Sequence, residues 1–140
     1  MPPNHGPLLT ETLLADMRRT LARGESVWSG SLDLGRSQCR VEVDEHGFIH
    51  DARRYPWPER CRPRTLIHFD GEDWAPVSRF DGGLVKLVPT EWDAPTFEID
   101  GIKMLPTARV SPWEDAGTKV DLVAPAGCRV LDTCGGLGYF

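Results

Sequence analysis

Apolar positions in the first 26 residues recur at helical spacing. In "LLTETLLADMRRTLARG", Leu9, Leu13, Leu14, Met17 and Leu21 fall on one stripe, Thr10 is placed to cap, Arg18, Arg19 and Arg23 come late, and Gly24 is placed to stop the helix. From Trp28 to Met104 the period shortens to alternating or β-rich runs broken by Gly, Pro, Asp and His, which predicts antiparallel strands. "CRVEVDEHGFIHDA" reads as a hairpin turning near His46-Gly47, and "TLIHFDGEDWAPVSRF" as one turning at Asp70-Gly71. "DGGLVKLVPT" is a strand entered through glycines, and "TFEIDGIKML" a hairpin on Asp-Gly, the dipeptide that best accepts a tight two-residue turn. Three prolines in "RRYPWPERCRPR" predict a loop over a sheet edge.

A second helix is expected from the capping box in "SPWEDAGTKVDLV": Ser111 caps, Pro112 fits the first helical position, Glu114 bonds back, and the helix runs to about Val123. Its Asp115 and Lys119 read as solvated helix charges, with a facing role at a ligand site as the alternative. "CRVLD" follows as a buried-type strand that breaks into Cys134-Gly135-Gly136-Leu137-Gly138. The fold class is therefore α+β, divided into a helical segment 1–26, an antiparallel β domain 27–106 and a final segment 107–140. A length of 140 residues suits one compact unit.

Composition narrows the function classes. A net charge of −5 argues against a polyanion partner, so the tryptophans beside arginines read as core or cleft wall instead of a base-stacking surface. No apolar run approaches the roughly 20 residues of a membrane span, and the start lacks the order of an export signal, so the cytoplasm is the expected location. Cys39, Cys61, Cys128 and Cys134 are then expected as free thiols, and with no Cys-x-x-Cys pair no zinc site is expected. His46 and His50 carry a His-x-x-x-His spacing, but Gly47 between them points to a turn with two solvated rings.

A strand that enters a helix through a glycine-rich turn lets a ligand approach the backbone, since any side chain there would collide with it. Asp132 at the strand end is placed to orient the loop amides or a charged part of the ligand. "VLDTCGGLGYF" resembles the first motif of class I S-adenosylmethionine-dependent methyltransferases: Val130, Leu131 and Asp132 match the strand end, Gly136 and Gly138 match the second and third glycines, and Cys134 stands at the first. The order of β domain, "IDGIKM" hairpin, capped helix and glycine turn is similar to spermidine synthase-like proteins, with Ile99, Asp100 and Gly101 in place of their Leu-Asp-Gly hairpin.

The resemblance implies that residues 107–140 open an incomplete Rossmann-like fold, with S-adenosylmethionine bound at Asp132, Cys134, Gly135, Gly136 and Gly138. It implies a small-molecule donor and an acceptor of unknown identity, is compatible with a homodimer, and puts the catalytic groups beyond Phe140. "KMLPTARVSPWEDAG" lacks the glutamine, the Asp-Glu pair and the Tyr-His-Glu run of polyamine synthases, so methyl transfer is preferred and aminopropyl transfer is the alternative. On this reading the chain is the amino-terminal part of a longer protein, with weak donor binding and no catalysis of its own. The competing reading is a self-standing β-rich binding module, in which "VLDTCGG" is an edge strand and Val130 and Leu131 are covered.

Overall fold

The structure, a computed structural model, describes residues 6–92, 94–105, 107–123, 126–131, 137 and 139. It is an α+β architecture of two helices and three antiparallel sheets, mostly β. Instead of one compact unit the chain forms two, Met1–Val77 and Ser78–Phe140, the division falling inside the span 27–106. No helix among the described residues is long and apolar enough to cross a membrane.

The first unit begins with β1 (Leu8–Leu9) and α1 (Glu11–Ala22). Thr10 caps α1 as its position predicts: its Oγ1 accepts the Leu13 N–H at 3.2 Å. Leu14 and Met17 turn into the core, and Trp28 donates its indole N–H to Asp16 Oδ2 at 2.8 Å, fastening helix to sheet. That sheet runs β2 (Val27–Gly30), β3 (Cys39–Asp44), β4 (Gly47–His50) and β5 (Arg53–Pro56), in sequence order. Asp44 opposite Gly47 leaves Glu45 and His46 as the first turn, one residue earlier than expected. A Cβ on Gly47 would lie 2.0 Å from the Tyr55 carbonyl oxygen, so only glycine lets β4 come this close to β5.

The expected loop at 53–64 is corrected in its first part, because Arg53–Pro56 is a strand. Pro56 is tolerated there since β5 is an edge, where a missing N–H costs no ladder bond. Burial favours the strand: Tyr55 stacks on Phe48 with centroids 5.3 Å apart. The hairpin of β6 (Ile67–Phe69) and β7 (Trp74–Pro76) turns through Asp70–Asp73 and, with β1, makes the second sheet. It ends at Pro76, earlier than expected, because Ser78–Phe80 belongs to the other unit. The core joins Leu9, Leu14, Met17, Trp28, Phe48 and Tyr55, among others.

The second unit is a four-stranded sheet, ordered β11 (Ile102–Lys103), β10 (Thr96–Ile99), β9 (Leu84–Val88), β8 (Ser78–Phe80), followed by α2 (Pro112–Val123). The Asp-Gly hairpin forms as predicted: Ile99 opposes Ile102, with φ of 50° at Asp100 and 82° at Gly101. Asp100 also accepts the Leu84 N–H at 2.8 Å, which accounts for a turn aspartate without a substrate. The capping box forms in part as read, with the Glu114 N–H donating to Ser111 Oγ at 3.0 Å. The expected strand at 128–132 does not form over its described residues, 128–131. A strand needs a neighbour for its ladder, and residues 128–131 pair with no strand among the described residues.

Asp51 and Ala52 join β4 to β5 with φ of 48° and 60°, left-handed values that cost an L-residue with a Cβ. Ala52→Gly should therefore raise the free energy of unfolding by about 0.5–1 kcal/mol in a denaturant titration. Asp44 is held below its ordinary value of 3.8, first by the Arg54 hydrogen bond and then by the His46 amide. A depressed carboxylate stabilises above its unfolded pKa, and that contribution is lost as pH falls through the folded value. The stability margin of wild type over Asp44→Asn should thus be full above about pH 4 and close below it in acid-unfolding curves.

Candidate functional site

Asp132, Cys134, Gly135, Gly136 and Gly138, the five residues expected to shape the donor turn, lie outside the described residues. Before the turn, Val130 and Leu131 are 70% and 86% exposed, although their type is that of a buried strand. After it, Tyr139 donates its hydroxyl to the Pro95 carbonyl at 2.7 Å and meets Trp113 edge to face, centroids 4.7 Å apart. Pro95 leads into β10 and Trp113 is the second residue of α2, so one side chain links both elements. Burial pushes the Tyr139 phenol up.

In α2 only Pro112 and Ala116 are buried, and Trp113, Leu122 and Val123 are exposed apolar groups. Asp115 and Lys119 do meet each other, Nζ to Oδ2 at 2.6 Å across one turn, a pairing that accounts for both charges within the helix.

Sequence reasoning missed a polar row on β10. Residues directly opposite in antiparallel strands share a face, so Lys86, Glu98 and Lys103 line up across β9, β10 and β11. Glu98 is only 3% exposed, with Lys86 Nζ 3.6 Å from its Oε2, while Lys103 donates to Thr107 Oγ1 at 3.0 Å. Thr96, two residues along the same face, is fully buried, and its hydroxyl has no partner among the described residues. The alternation in "TFEI" carried a signal for this row only through period two, since it does not say which face turns inward.

The first unit carries a cleft of about 370 Å³ between α1 and the segment after β5, lined by Glu11, Leu14, Arg18, Pro58, Arg60 and Cys61 among others. Its volume suits a small ligand, but its chemistry is not that of a nucleophile. Burial pushes the Cys61 thiol up, the nearby Glu11 carboxylate adds to this, and Sγ lies 3.8 Å from the Thr65 carbonyl oxygen. Burial likewise raises Cys39. Cys39, Cys61 and Cys128 are free thiols. His46 is exposed in its turn beside Glu45, whereas His50 is mostly covered on β4, unlike the solvated ring expected there. No group of three His, Cys, Asp or Glu side chains able to hold a metal ion occurs among the described residues.

No family model matches the chain, and no solved structure matches it. A protein of Methanocaldococcus jannaschii, named Uncharacterized protein MJ1233, is 50% identical over 60 residues, covering 42% of this chain and 20% of that protein. The chain thus spans about a fifth of the length of the curated relative it matches.

The thiol environments predict an order of reactivity. In variants that keep one cysteine each, exposed Cys128 should react with a disulfide reagent at neutral pH about tenfold or more faster than Cys61. Equal rates would mean that the cleft leaves Cys61 open and ionised.

Proposed function

We propose that residues 107–140 open the donor-binding unit of an S-adenosylmethionine-dependent methyltransferase, resembling the spermidine synthase-like proteins. The observation that carries this reading is the exposure of two sequence-adjacent apolar pairs, Leu122–Val123 and Val130–Leu131. Adjacent large apolar side chains left at the surface suit a place that another element covers. In a parallel sheet wound with helices, Val130 and Leu131 belong between neighbouring strands, and the following turn lies at the carboxyl edge where ligands bind. A self-standing β module would instead need this segment paired at a sheet edge, and its described residues pair with no strand.

In that enzyme Gly135, Gly136 and Gly138 give the donor room against the backbone, and Asp132 orients the loop amides or a charged group of the donor. S-adenosylmethionine supplies a sulfonium methyl. The protein's part is to hold donor and acceptor in line and to exclude alternatives to the transfer. Methyl transfer is preferred over aminopropyl transfer because the acidic and glutamine motifs of polyamine synthases are missing from 103–117.

The test uses the polypeptide that the gene encodes in full, titrated calorimetrically with S-adenosylhomocysteine. Binding should be measurable in wild type and abolished in Gly136→Val, with the circular dichroism of the β sheets retained. Unchanged affinity in Gly136→Val would remove the glycine turn from the donor site.

A further inference from the structure

We infer that the cleft of the first unit is a binding site for an elongated small zwitterion, held with its ammonium group at Glu11, its carboxylate at Arg18 and its apolar middle on Leu14 and Ala15. Nothing in this site depends on the donor reading of residues 107–140.

The wall on the α1 side is a single stripe. Glu11, Leu14, Ala15 and Arg18 follow one another at i, i+3, i+4 and i+7, so they share one face of the helix. Residues 11 and 18 are seven positions apart, which at helical rise places the two charges roughly 10 Å apart along the axis, with the apolar pair between them. Ion pairs within a helix form three or four residues apart, so Glu11 and Arg18 are too distant to neutralise each other. A ligand two turns long reaches both.

The facing wall fixes the cationic end. Arg18 donates from Nη2 to the Pro58 carbonyl at 3.3 Å, and its guanidinium carbon lies 5.8 Å from the Trp57 ring centroid. These contacts hold the guanidinium in place and leave further N–H donors for a carboxylate, which the planar fork matches. At the other end, the Cys61 thiol is pushed up first by burial and then by the Glu11 charge, so the Glu11 carboxylate is felt inside the cleft. The thiol stays neutral there and serves as a small apolar surface.

The balance of charges selects a zwitterion. Elsewhere in this unit exposed arginines meet carboxylates: Arg19 with Asp16, Arg23 with Glu25 and Arg54 with Asp44. In the cleft, Glu11, Arg18, Glu59 and Arg60 form no ion pair among the described residues. Two carboxylates and two guanidiniums leave the lining without net charge, so a ligand of one sign meets repulsion as well as attraction. A ligand of both signs laid along α1 finds the opposite charge at each end of the stripe. The volume of about 370 Å³ is near the lower end of the range that small-molecule pockets occupy.

The test is a calorimetric titration of the full gene product with ω-aminooctanoate, whose extended chain spans the two turns, against octanoate and octylamine. ω-Aminooctanoate should bind about fivefold tighter than either single-charge probe. Glu11→Gln should remove its advantage over octanoate while octanoate keeps its wild-type affinity, and Arg18→Gln should remove its advantage over octylamine. Glu11→Lys should turn the preference to octanedioate, which carries a carboxylate at both ends. Equal affinity of wild type for ω-aminooctanoate, octanoate and octylamine would mean a cleft that reads no charge and would overturn the site. So would an absence of binding by all three, or a preference for ω-aminooctanoate that survives both Glu11→Gln and Arg18→Gln, since the zwitterion would then be held elsewhere.

Discussion

The first unit depends on how Phe48 is packed. Its ring is fully buried and has three aromatic neighbours: Tyr55 at 5.3 Å, Trp57 at 5.8 Å and Trp74 at 6.2 Å. These come from β5, the loop after it and β7, so one side chain on β4 joins the four-stranded sheet to the smaller one. Aromatic rings carry this load well because each removes a large area from water and prefers offset or tilted contacts that fix orientation. The tryptophans also keep their polar atoms satisfied: Trp57 donates to the Asp44 carbonyl and Trp74 to the Pro56 carbonyl, both at 2.8 Å. The loop bearing Pro58 and Cys61 is thereby held near α1, where Arg18 donates to the Pro58 carbonyl at 3.3 Å, and the cleft is a consequence of that placement.

The second unit is organised around a different constraint. Burial of the Glu98 carboxylate is costly unless a cation or donors compensate it, and Lys86 on the neighbouring strand supplies the opposite charge. The register that aligns Lys86, Glu98 and Lys103 is also the one that closes the Asp100–Gly101 turn. A slip of one residue would turn Glu98 to the other face and separate it from both lysines. Ile99 and Ile102 lie on that opposite face and are exposed, while the inward face buries Glu98 and Thr96 beside Val88. Beyond it, Tyr139 meets the entry to β10 through the Pro95 carbonyl and the start of α2 through Trp113.

Both helices, their N-caps, the Asp-Gly turn at 100–101, the approximate places of the other two hairpin turns and the α+β class could be read from the sequence, because each is set by local chemistry: a hydroxyl three residues before an amide, a 3.6-residue stripe, a residue pair that accepts positive φ. The strand at Arg53–Pro56 could not, since a proline-rich stretch becomes an edge strand only when a partner buries Tyr55. The same limit applies to the candidate site. The glycine spacing and its resemblance are sequence features at residues outside the described ones, whereas the Tyr139–Pro95 contact joins residues 44 apart and leaves no local pattern.

The amino-acid sequence by itself determined where helices start and stop, which segments alternate and where the chain turns, since those depend on interactions within a few residues. Tertiary structure alone decided the split at Val77 into two units, the inward face of β10 with its buried Glu98, and the exposure of Val130 and Leu131. The physical reason is that burial is a property of what lies across from a residue. Alternation in "TFEIDGIKML" supplies two faces of one strand, and only the neighbouring strands choose between them.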